Sequence, residues 1–379
     1  MVETTFDVLI AGGGLVGSML ALSLADQPLR IGLLDAESPQ ATQAEGRAIA
    51  LSYASWQFLQ QLNLPSSLHL AATPIKTVHV SNAKHFGAVH LSAQDYGIDA
   101  LGYVINAKQL QQVLQTALKT RNTIAQWHPA QLTQCQQSAE GMMAKIRTDS
   151  EQKNLTTRLL VAADGSRSAV RQWINFPTQH YDYQQEVLVA TVETNQPHHA
   201  VAYERFIHNG VLAALPLAEQ AYTMIWVRPK GETDSGELLP ALQQAWGGRL
   251  GRLLSVEAGR WFPLHSEYAT WQVMPGLVLL GNAAHTLHPI GAQGLNLSIR
   301  DIQSLAQMIQ HTPDFATLAA LEGYQTQRQT DQLRTFQFTH QLSTQIVGAF
   351  PKSWLRGIGL SLLDLLPPAK RALVKYTAL

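Results

Sequence analysis

The stretch Phe6-Asp7-Val8-Leu9-Ile10-Ala11-Gly12-Gly13-Gly14-Leu15-Val16-Gly17 decides the fold of this 379-residue chain. Its apolar half predicts a strand over 6–11 that is buried on both faces, and a helix over 15–25 follows the glycines. A second apolar run over 31–34 ends at Asp35, which completes a strand–helix–strand unit of about 30 residues. Gly12, Gly14 and Gly17 therefore fit the G-x-G-x-x-G pattern in the context that gives this pattern meaning.

This first glycine block predicts a turn that binds a dinucleotide. The glycines let backbone N–H groups approach a pyrophosphate, and the helix start at Leu15 and Val16 adds about half a positive charge. Asp35 is placed to accept hydrogen bonds from a ribose hydroxyl. The alternative is a glycine turn that packs a helix on a sheet without a ligand. The block alone does not separate FAD from NAD.

A second block follows another predicted buried strand, Leu159-Leu160-Val161-Ala162-Ala163. The strand stops at Asp164-Gly165-Ser166, where a carboxylate, a glycine and a hydroxylic residue make a helix-start turn that can bond a nucleotide. Asp-Gly on its own is most often only a turn.

The third block is the most specific of the three. Gly281-Asn282-Ala283-Ala284-His285 ends an apolar run over 278–280, and Pro289 to Asn296 leads into a long helical tract. A helix start aimed at the N1–C2 edge of a reduced flavin stabilises its negative charge by up to about 2 kcal/mol. Gly291, Ala292 and Gly294 keep the backbone close to such a ring, and Asn282 is able to hydrogen-bond the ribityl chain. The three blocks together favour FAD.

Composition excludes several classes of protein. Lys plus Arg and Asp plus Glu each number 27, so the net charge is zero, which argues against a general nucleic-acid binder. Cys135 is the only cysteine, so no intramolecular disulfide forms and a reducing cytoplasm is expected. The first predicted strand begins almost at once and without a basic stretch, so a signal peptide is not expected. The longest run without charged side chains, 269–299, is broken by prolines and glycines, so it does not predict a spanning helix.

The pattern changes between residues 181 and 229, where short apolar runs separated by turns predict antiparallel strands. We therefore expect an α/β fold in which a Rossmann-like FAD-binding domain is interleaved with an antiparallel-sheet substrate domain, with a helical C-terminus. The expected FAD-binding domain takes 1–75, 101–180 and 265–345. The substrate domain takes 76–100 and 181–264, and the tail takes 346–379.

These motifs resemble the class A FAD-dependent aromatic hydroxylases, which have the para-hydroxybenzoate hydroxylase fold. Within them the chain is most similar to the ubiquinone-biosynthesis hydroxylases, in the 2-octaprenyl-6-methoxyphenol hydroxylase branch. The resemblance covers nearly the whole chain. Besides the glycine blocks, it is carried by Glu45-Gly46-Arg47-Ala48-Ile49-Ala50-Leu51, Thr77-Val78-His79-Val80-Ser81, Tyr203-Glu204-Arg205-Phe206 and His285-Thr286-Leu287-His288-Pro289-Ile290.

The resemblance implies roles for individual residues. No side-chain nucleophile is expected, and Pro289 and Gly294 would lie beside the flavin. The expected cofactor-binding residues are Gly12, Gly14, Leu15, Val16, Gly17, Asp35, Arg47, Lys108, Asp164, Gly165, Gly281, Asn282, Pro289, Gln293, Gly294, Leu295 and Asn296. Asn282 takes the position of an aspartate that usually binds ribitol, and an asparagine there is also familiar in this branch. Two departures from the family pattern matter: Gly291-Ala292-Gln293-Gly294 replaces the usual Ala-Gly-Gln-Gly order, and Lys108 replaces an arginine.

The activity that the resemblance implies is an FAD-dependent monooxygenase acting in ubiquinone biosynthesis. It would hydroxylate the ring of a polyprenylated phenol of the 2-polyprenyl-6-methoxyphenol type through a flavin C4a-hydroperoxide. NADPH, NADH or another donor would reduce the flavin, and O2 is the co-substrate. Membership of a ubiquinone-biosynthesis complex and peripheral contact with the inner membrane are expected, with no nucleic-acid partner. The alternatives are a flavoenzyme with another substrate, such as a soluble aromatic, and a flavin-stabilised subunit without catalysis.

Three other features allow a second interpretation. His285 and His288 have the spacing of a metal pair, but no Cys or carboxylate nearby completes a shell, so packing near the flavin is favoured. Glu204 and Arg205 fit an exposed ion pair or a pocket lining. The tail has apolar residues at helical spacing and five basic residues against one acidic, a net charge of +4 over 351–379. It would pack on the protein itself, on a partner or on an anionic membrane.

Overall fold

The computed structural model describes residues 4–36, 48–83, 85–139, 141–208, 210–232, 237–346 and 352–378. The strands in these residues are β1 (Thr4–Ala11), β2 (Ile31–Leu34), β3 (Ala48–Ser52), β4 (Ala72–Ile75), β5 (Thr77–Asn82), β6 (Ala88–Ser92), β7 (Gly102–Asn106), β8 (Ile124–Trp127), β9 (Ala130–Ser138), β10 (Gly141–Thr148), β11 (Gln152–Ala162), β12 (Thr178–Thr194), β13 (Val201–Ile207), β14 (Gly210–Ala218), β15 (Ala221–Pro229), β16 (Leu253–Ala269), β17 (Val273–Met274), β18 (Leu277–Leu279) and β19 (His285–Thr286). The helices are α1 (Leu15–Leu24), α2 (Tyr53–Gln61), α3 (Ser67–Ala71), α4 (Ala107–Lys119), α5 (Ala169–Ile174), α6 (Leu238–Trp246), α7 (Gln293–His311), α8 (Leu318–Gln341), α9 (Lys352–Leu365) and α10 (Pro367–Thr377).

The first sheet, called here the parallel sheet, has the order β17-β18-β11-β1-β2-β8, and the hairpin β9–β10 attaches to β11. Strands β18, β11, β1, β2 and β8 are parallel to one another. Their adjoining segments 8–11, 31–34, 159–162 and 277–279 are buried and almost entirely apolar because both faces are covered there, as in other parallel sheets. Helices α1, α4 and α7 contribute to the buried cluster on one face.

The second sheet, called here the large sheet, has the order β19-β16-β12-β15-β14-β13-β5-β6. Its pairings are antiparallel except for β13 with β5. Helix α6 packs on one face, which we call the outer face, through Leu242 and Trp246. A small antiparallel sheet, β3-β7-β4, lies between the two larger sheets and supplies Ala48 and Val104 to a cluster with Ala202 and Leu215 of the large sheet.

The C-terminal helices α9 and α10 pack on the edge of the large sheet. Leu360 and Leu363 of α9 and Val374 of α10 join a cluster with Val89 and Leu91 of β6. Helix α9 leaves an outward stripe of four large apolar side chains, Trp354, Leu355, Leu362 and Leu365, of which Leu365 is 74% exposed, and the exposed Leu366 follows the helix. No helix in the described part of the chain combines the length and the apolarity that crossing a membrane requires.

The α/β fold expected from the sequence is confirmed, including the antiparallel sheet and the helical C-terminus. The order of the parallel strands also determines where the glycine blocks meet. Ala11 pairs with Ala162, and Ala162 pairs with Leu279. The three blocks that follow these strands therefore begin side by side at the carboxyl edge of the parallel sheet, where α/β folds bind their ligands.

Candidate functional site

The three glycine blocks contact one another directly. A Cβ atom at Gly12 would lie 2.3 Å from the carbonyl oxygen of Ala163, at the start of the second block. A Cβ atom at Gly281, in the third block, would lie 3.0 Å from Val16 Cγ1 on α1. Because these approaches leave no room for a side chain, glycine is required where the blocks meet.

The first turn is closed by its own glycines. A Cβ atom at Gly17 would lie 1.9 Å from the carbonyl oxygen of Gly12, so α1 packs against the turn only with glycine there. The carbonyl of Gly13 accepts hydrogen bonds from Ser18 Oγ at 2.9 Å and from Gln111 Nε2 of α4 at 2.8 Å. Gln111 was not among the sequence-predicted residues, although a glutamine on the apolar stripe of α4 is a signal for such a buried contact.

Other parts of this groove are open. A Cβ atom at Gly14 or at Gly294 would meet no protein atom within 4 Å, and no side chain caps the start of α1 or α7. Backbone N–H groups at two helix N-termini thus face free space, which suits anionic or electron-rich groups of a dinucleotide. The residues present fit FAD.

Asp35 and Lys108 lie on either side of the first turn. A Cβ atom at Gly13 would lie 2.6 Å from Asp35 Oδ2, so the carboxylate at the end of β2 stands against the turn. Lys108 is exposed in the first turn of α4, three residues before Gln111 and on the same side of the helix. Both positions allow the predicted contacts, whereas Arg47 lies outside the described residues.

Asp164 has a structural role beside the predicted one. Its Oδ2 atom accepts a hydrogen bond from the backbone N–H of Ala169 at 2.9 Å, at the start of α5. Its Oδ1 atom is buried and has no hydrogen-bond partner within the described ranges. Gly165 follows with φ +86° and faces open space. The carboxylate therefore retains one acceptor atom for a ligand in the groove.

The third block forms a loop and a helix start along the groove. Asn282 is exposed, as expected for a residue that contacts a ligand rather than the core. Pro289 is half-buried, and Gly291 and Ala292 both have left-handed backbone, with φ of 70° and 52°. The reversed Gly-Ala order therefore places a residue with a Cβ in a conformation that favours glycine.

Asn296 and Gln293 use their side chains inside the protein. Asn296 accepts from the backbone N–H of Ser52 at 2.9 Å and donates to the carbonyls of Ala50 at 3.1 Å and Ala292 at 2.8 Å. It therefore ties β3 to the loop, and its amide was not predicted to have this role. Gln293 donates to the carbonyl of Gly291, while its buried Oε1 atom has no hydrogen-bond partner within the described ranges.

A buried ionic network supports the same loop. His285 Nε2 donates to Asp301 Oδ2 at 2.6 Å, and Arg328 Nε of α8 donates to Asp301 Oδ1 at 2.7 Å. Burial alone would raise the pKa of Asp301, but the hydrogen bond from His285 and the charge of Arg328 hold it below its usual value. This network was not predicted from the sequence. The signal that could have indicated it was a carboxylate at a position of α7 that the helical pattern buries.

His288 has different contacts from His285. Its Nε2 atom lies 3.0 Å from Gln185 Oε1, and its Nδ1 atom accepts from the backbone N–H of Ile290. Burial, with His340 nearby, lowers its pKa to about 3, so the ring is neutral. The two histidines thus hydrogen-bond to different side chains inside the protein, as expected for packing around the loop.

The interpretation of Glu204 and Arg205 as an ion pair is wrong. They are consecutive residues of β13, so their side chains point to opposite faces of the large sheet. Arg205 lies on the outer face with Tyr203, which packs against Trp246 of α6. Glu204 lies with Phe206 on the opposite face, called here the inner face. Phe206 packs against Ile290 of the loop 287–292, called here the flavin-side loop because Pro289 is predicted to lie beside the flavin.

Comparison with known proteins agrees with this geometry. The family model of the FAD binding domain matches residues 5–339, and the chain belongs to that family. An uncharacterized protein of Synechocystis sp. is 31% identical over 97% of this chain and 92% of its own length. The ubiquinone hydroxylase UbiL of Rhodospirillum rubrum is 29% identical over 98% of this chain and 89% of its own length.

Among solved structures, p-nitrophenol 4-monooxygenase of Pseudomonas putida superimposes with a TM-score of 0.83 at 17% identity, over 99% of this chain and 98% of that one. This likeness concerns the fold. The resemblance to FAD-dependent aromatic hydroxylases of the ubiquinone-biosynthesis group is confirmed, and FAD is the cofactor of this class. The contact of each residue with FAD stays a prediction.

Proposed function

We propose that this chain hydroxylates the aromatic ring of a polyprenylated phenol in ubiquinone biosynthesis, with FAD as cofactor and O2 as co-substrate. NADPH or NADH would reduce the flavin. The observation that carries the proposal is the meeting of three glycine blocks in one groove next to the large sheet, in a chain similar over its length to a ubiquinone hydroxylase. FAD supplies the oxygen activation when it is bound.

The protein would hold the cofactor and keep water away from the reacting ring. Backbone N–H groups at the starts of α1 and α7 would stabilise the pyrophosphate and the electron-rich flavin. Asp35 would bind a ribose and Asn282 the ribityl chain. Ile290 packs with Phe206 and Val211 of the large sheet, so the flavin-side loop faces an apolar wall.

The same apolar wall continues to the tail. Phe206, Val211 and Ile290 are in one cluster with Val80 of β5 and Leu360 of α9. A prenyl chain gains about 0.8 kcal/mol for each CH2 group that it buries. Continuous apolar packing from the loop to α9 supports a substrate whose head reaches the flavin and whose tail extends toward this helix.

The test is a product assay with purified protein, FAD, NADH or NADPH, O2 and a short-chain 2-prenyl-6-methoxyphenol. We expect the visible absorption of oxidised flavin to bleach with the nucleotide, and a product heavier by one oxygen atom to form. The variant Gly17→Ala, which has no room for its Cβ atom, serves as the FAD-deficient control. Bound FAD without product from any prenylated phenol would contradict the proposal and favour a non-catalytic subunit.

We also propose that the chain is cytoplasmic and contacts the inner membrane through α9. The outward stripe of α9 leaves Trp354 48% and Leu365 74% exposed, and Arg371 and Lys375 of α10 are exposed nearby in sequence. Apolar side chains beside basic residues are typical of helices that lie on anionic membranes. The attachment would be reversible because each basic residue contributes only about 1 kcal/mol.

Co-sedimentation with vesicles tests this contact. Vesicles with phosphatidylglycerol should retain the protein better than phosphatidylcholine vesicles, and the double variant Leu362→Ser/Leu365→Ser should lose most of the binding. Leu70→Ser removes a still more exposed leucine, 90% accessible, from α3 and should bind like the parent. Unchanged binding of the α9 variant would contradict the membrane contact.

The domain division remains a proposal that the sheets support. The parallel sheet takes its strands from 4–34, 124–162 and 273–279, and the large sheet takes its strands from 77–92, 178–269 and 285–286. We propose that the first set belongs to the FAD-binding domain and the second to the substrate domain.

A further inference from the structure

One row of side chains on the inner face of the large sheet is partly exposed to solvent. Strand pairing places Val80, Glu204, Ala213, Ile225 and Val189 next to one another across five strands. All five are partly accessible. The row thus crosses the sheet as a continuous strip that the protein does not fully cover.

The rows on both sides of this strip are buried. On one side, Phe206 and Val211 pack against Ile290 of the flavin-side loop. On the other side, Ala202 and Leu215 pack against the small sheet that contains β3. A partly accessible row between two covered rows is the floor of a slot, and the loop from Pro289 and strand β3 lie over its two sides.

Glu204 is the charged residue of this strip. Its carboxylate has no hydrogen bond or ion pair with any residue that the structure describes, and Arg205 points to the opposite face. An unpaired carboxylate enclosed by apolar neighbours costs stability unless a ligand or partner compensates it. Val80, Ala213 and Ile225 offer no polar atom in their side chains.

We propose that Glu204 is a catalytic residue that binds the phenolic hydroxyl of the substrate and takes its proton. This inference rests on the proposed function. The proton moves from the phenol oxygen to a carboxylate oxygen of Glu204, and the electron pair of the O–H bond stays on the phenol oxygen. The resulting phenolate makes the ring more electron-rich, as attack on an activated oxygen requires.

Burial supports this role. It raises the pKa of the Glu204 carboxyl to about 7, well above its ordinary value of 4.5. A base whose pKa lies near the working pH is best suited to proton transfer, which contributes about 100-fold to 10,000-fold in rate. A neutral phenol also enters the apolar slot more readily than a phenolate, so deprotonation inside the slot is favoured over binding of the anion.

The variant Glu204→Gln tests the inference because it keeps the shape and an acceptor oxygen but removes the negative charge and the ability to take a proton. Binding is followed through the change in flavin absorption on titration with a short-chain prenylphenol and with its O-methyl ether. The parent protein should bind the phenol about 10-fold or more tightly than the ether. The variant should lose part of this preference, because its neutral amide oxygen accepts a weaker hydrogen bond than a carboxylate, and it should form product at least about 100-fold more slowly because it takes no proton. Glu257→Gln, on an exposed position of β16, should behave like the parent.

The outcomes separate the two proposals. If the parent forms no hydroxylated product, the proposed function fails, while the phenol-to-ether binding ratio still decides the role of Glu204. If the parent is active and Glu204→Gln keeps both its rate and its preference for the phenol, the inference about Glu204 is wrong. FAD content and unfolding midpoint of each variant verify that the fold is intact.

Discussion

Replacing Asp301 by asparagine should loosen the flavin-side loop from the body of the protein. The carboxylate is 1% exposed and receives hydrogen bonds from His285 and Arg328, so it joins the third block to α7 and α8. Asparagine has the same shape but no charge. The substitution therefore leaves the buried guanidinium of Arg328 without its more deeply buried counter-ion, although Arg328 still contacts Asp331.

The size of the effect follows from burial. Removing one partner of a buried ion pair lowers the free energy of unfolding by about 3–5 kcal/mol. For Asp301→Asn we expect a loss of about 3 kcal/mol, because Asp331 still compensates the charge of Arg328. The matched control is Asp331→Asn. Asp331 is 27% exposed and also contacts Arg300, so its loss should cost about 1 kcal/mol.

Urea unfolding of the FAD-free proteins measures both values. Fluorescence of the eight tryptophans and circular dichroism should give coincident transitions with unchanged slopes. FAD must be absent because a ligand that binds the folded state raises the apparent stability. A loss for Asp301→Asn no larger than that for Asp331→Asn would refute the idea that this network anchors the loop.

Further substitutions test the loops and the strip. Gly17→Ala should abolish FAD retention, since its Cβ atom would lie 1.9 Å from a carbonyl oxygen. Gly323→Ala in α8 has open space around its Cβ atom and should keep the cofactor. Equal flavin content in the two purified variants would contradict this expectation. Ala292→Gly should raise the free energy of unfolding by about 0.5–1 kcal/mol, because glycine adopts the left-handed backbone at this position without strain. The control Ala319→Gly, in the first turn of α8, should instead lower the free energy of unfolding by up to about 1 kcal/mol. Burial raises the pKa of Glu204 to about 7, so the folded state holds this proton more tightly than the unfolded chain. The contribution of this proton to the free energy of unfolding is greatest below about pH 4.5 and is lost as the pH rises to 7. The free energy of unfolding of Glu204→Gln should therefore exceed that of the parent by at most about 3 kcal/mol at pH 8, and by almost nothing at pH 4.5. If the difference in free energy of unfolding between the parent and Glu204→Gln did not change with pH, this titration of Glu204 would be excluded.

Local chemistry explains what the sequence could predict. Strand β2 was predicted with its observed bounds, and β1 and α1 to within two residues at each end. Their hydrophobic runs, glycines and helical stripes are properties of neighbouring residues. The side-by-side arrangement of the glycine blocks also follows from parallel strands, whose carboxyl ends share one edge.

Contacts between distant residues could not be predicted in this way. Asn296 bonds residues about 245 positions away in sequence, and no local pattern marks such a pair. Asp301 and Arg328 are on different helices and meet only after these pack. The role of Glu204 was ambiguous for a simpler reason. Adjacent residues of opposite charge suggest an ion pair, and only the knowledge that they are in a strand shows that their side chains point to opposite faces.

The three hydrogen bonds of Asn296 have a mechanical consequence. They fasten Ser52 and Ala50 of β3 to Ala292 at the start of α7, so that the strand and the loop are displaced together or not at all. Swinging the flavin-side loop outward would have to drag β3 away from the large sheet. In the proposed complex with FAD, we therefore expect the isoalloxazine ring to move within a stationary frame rather than by hinging of the frame itself.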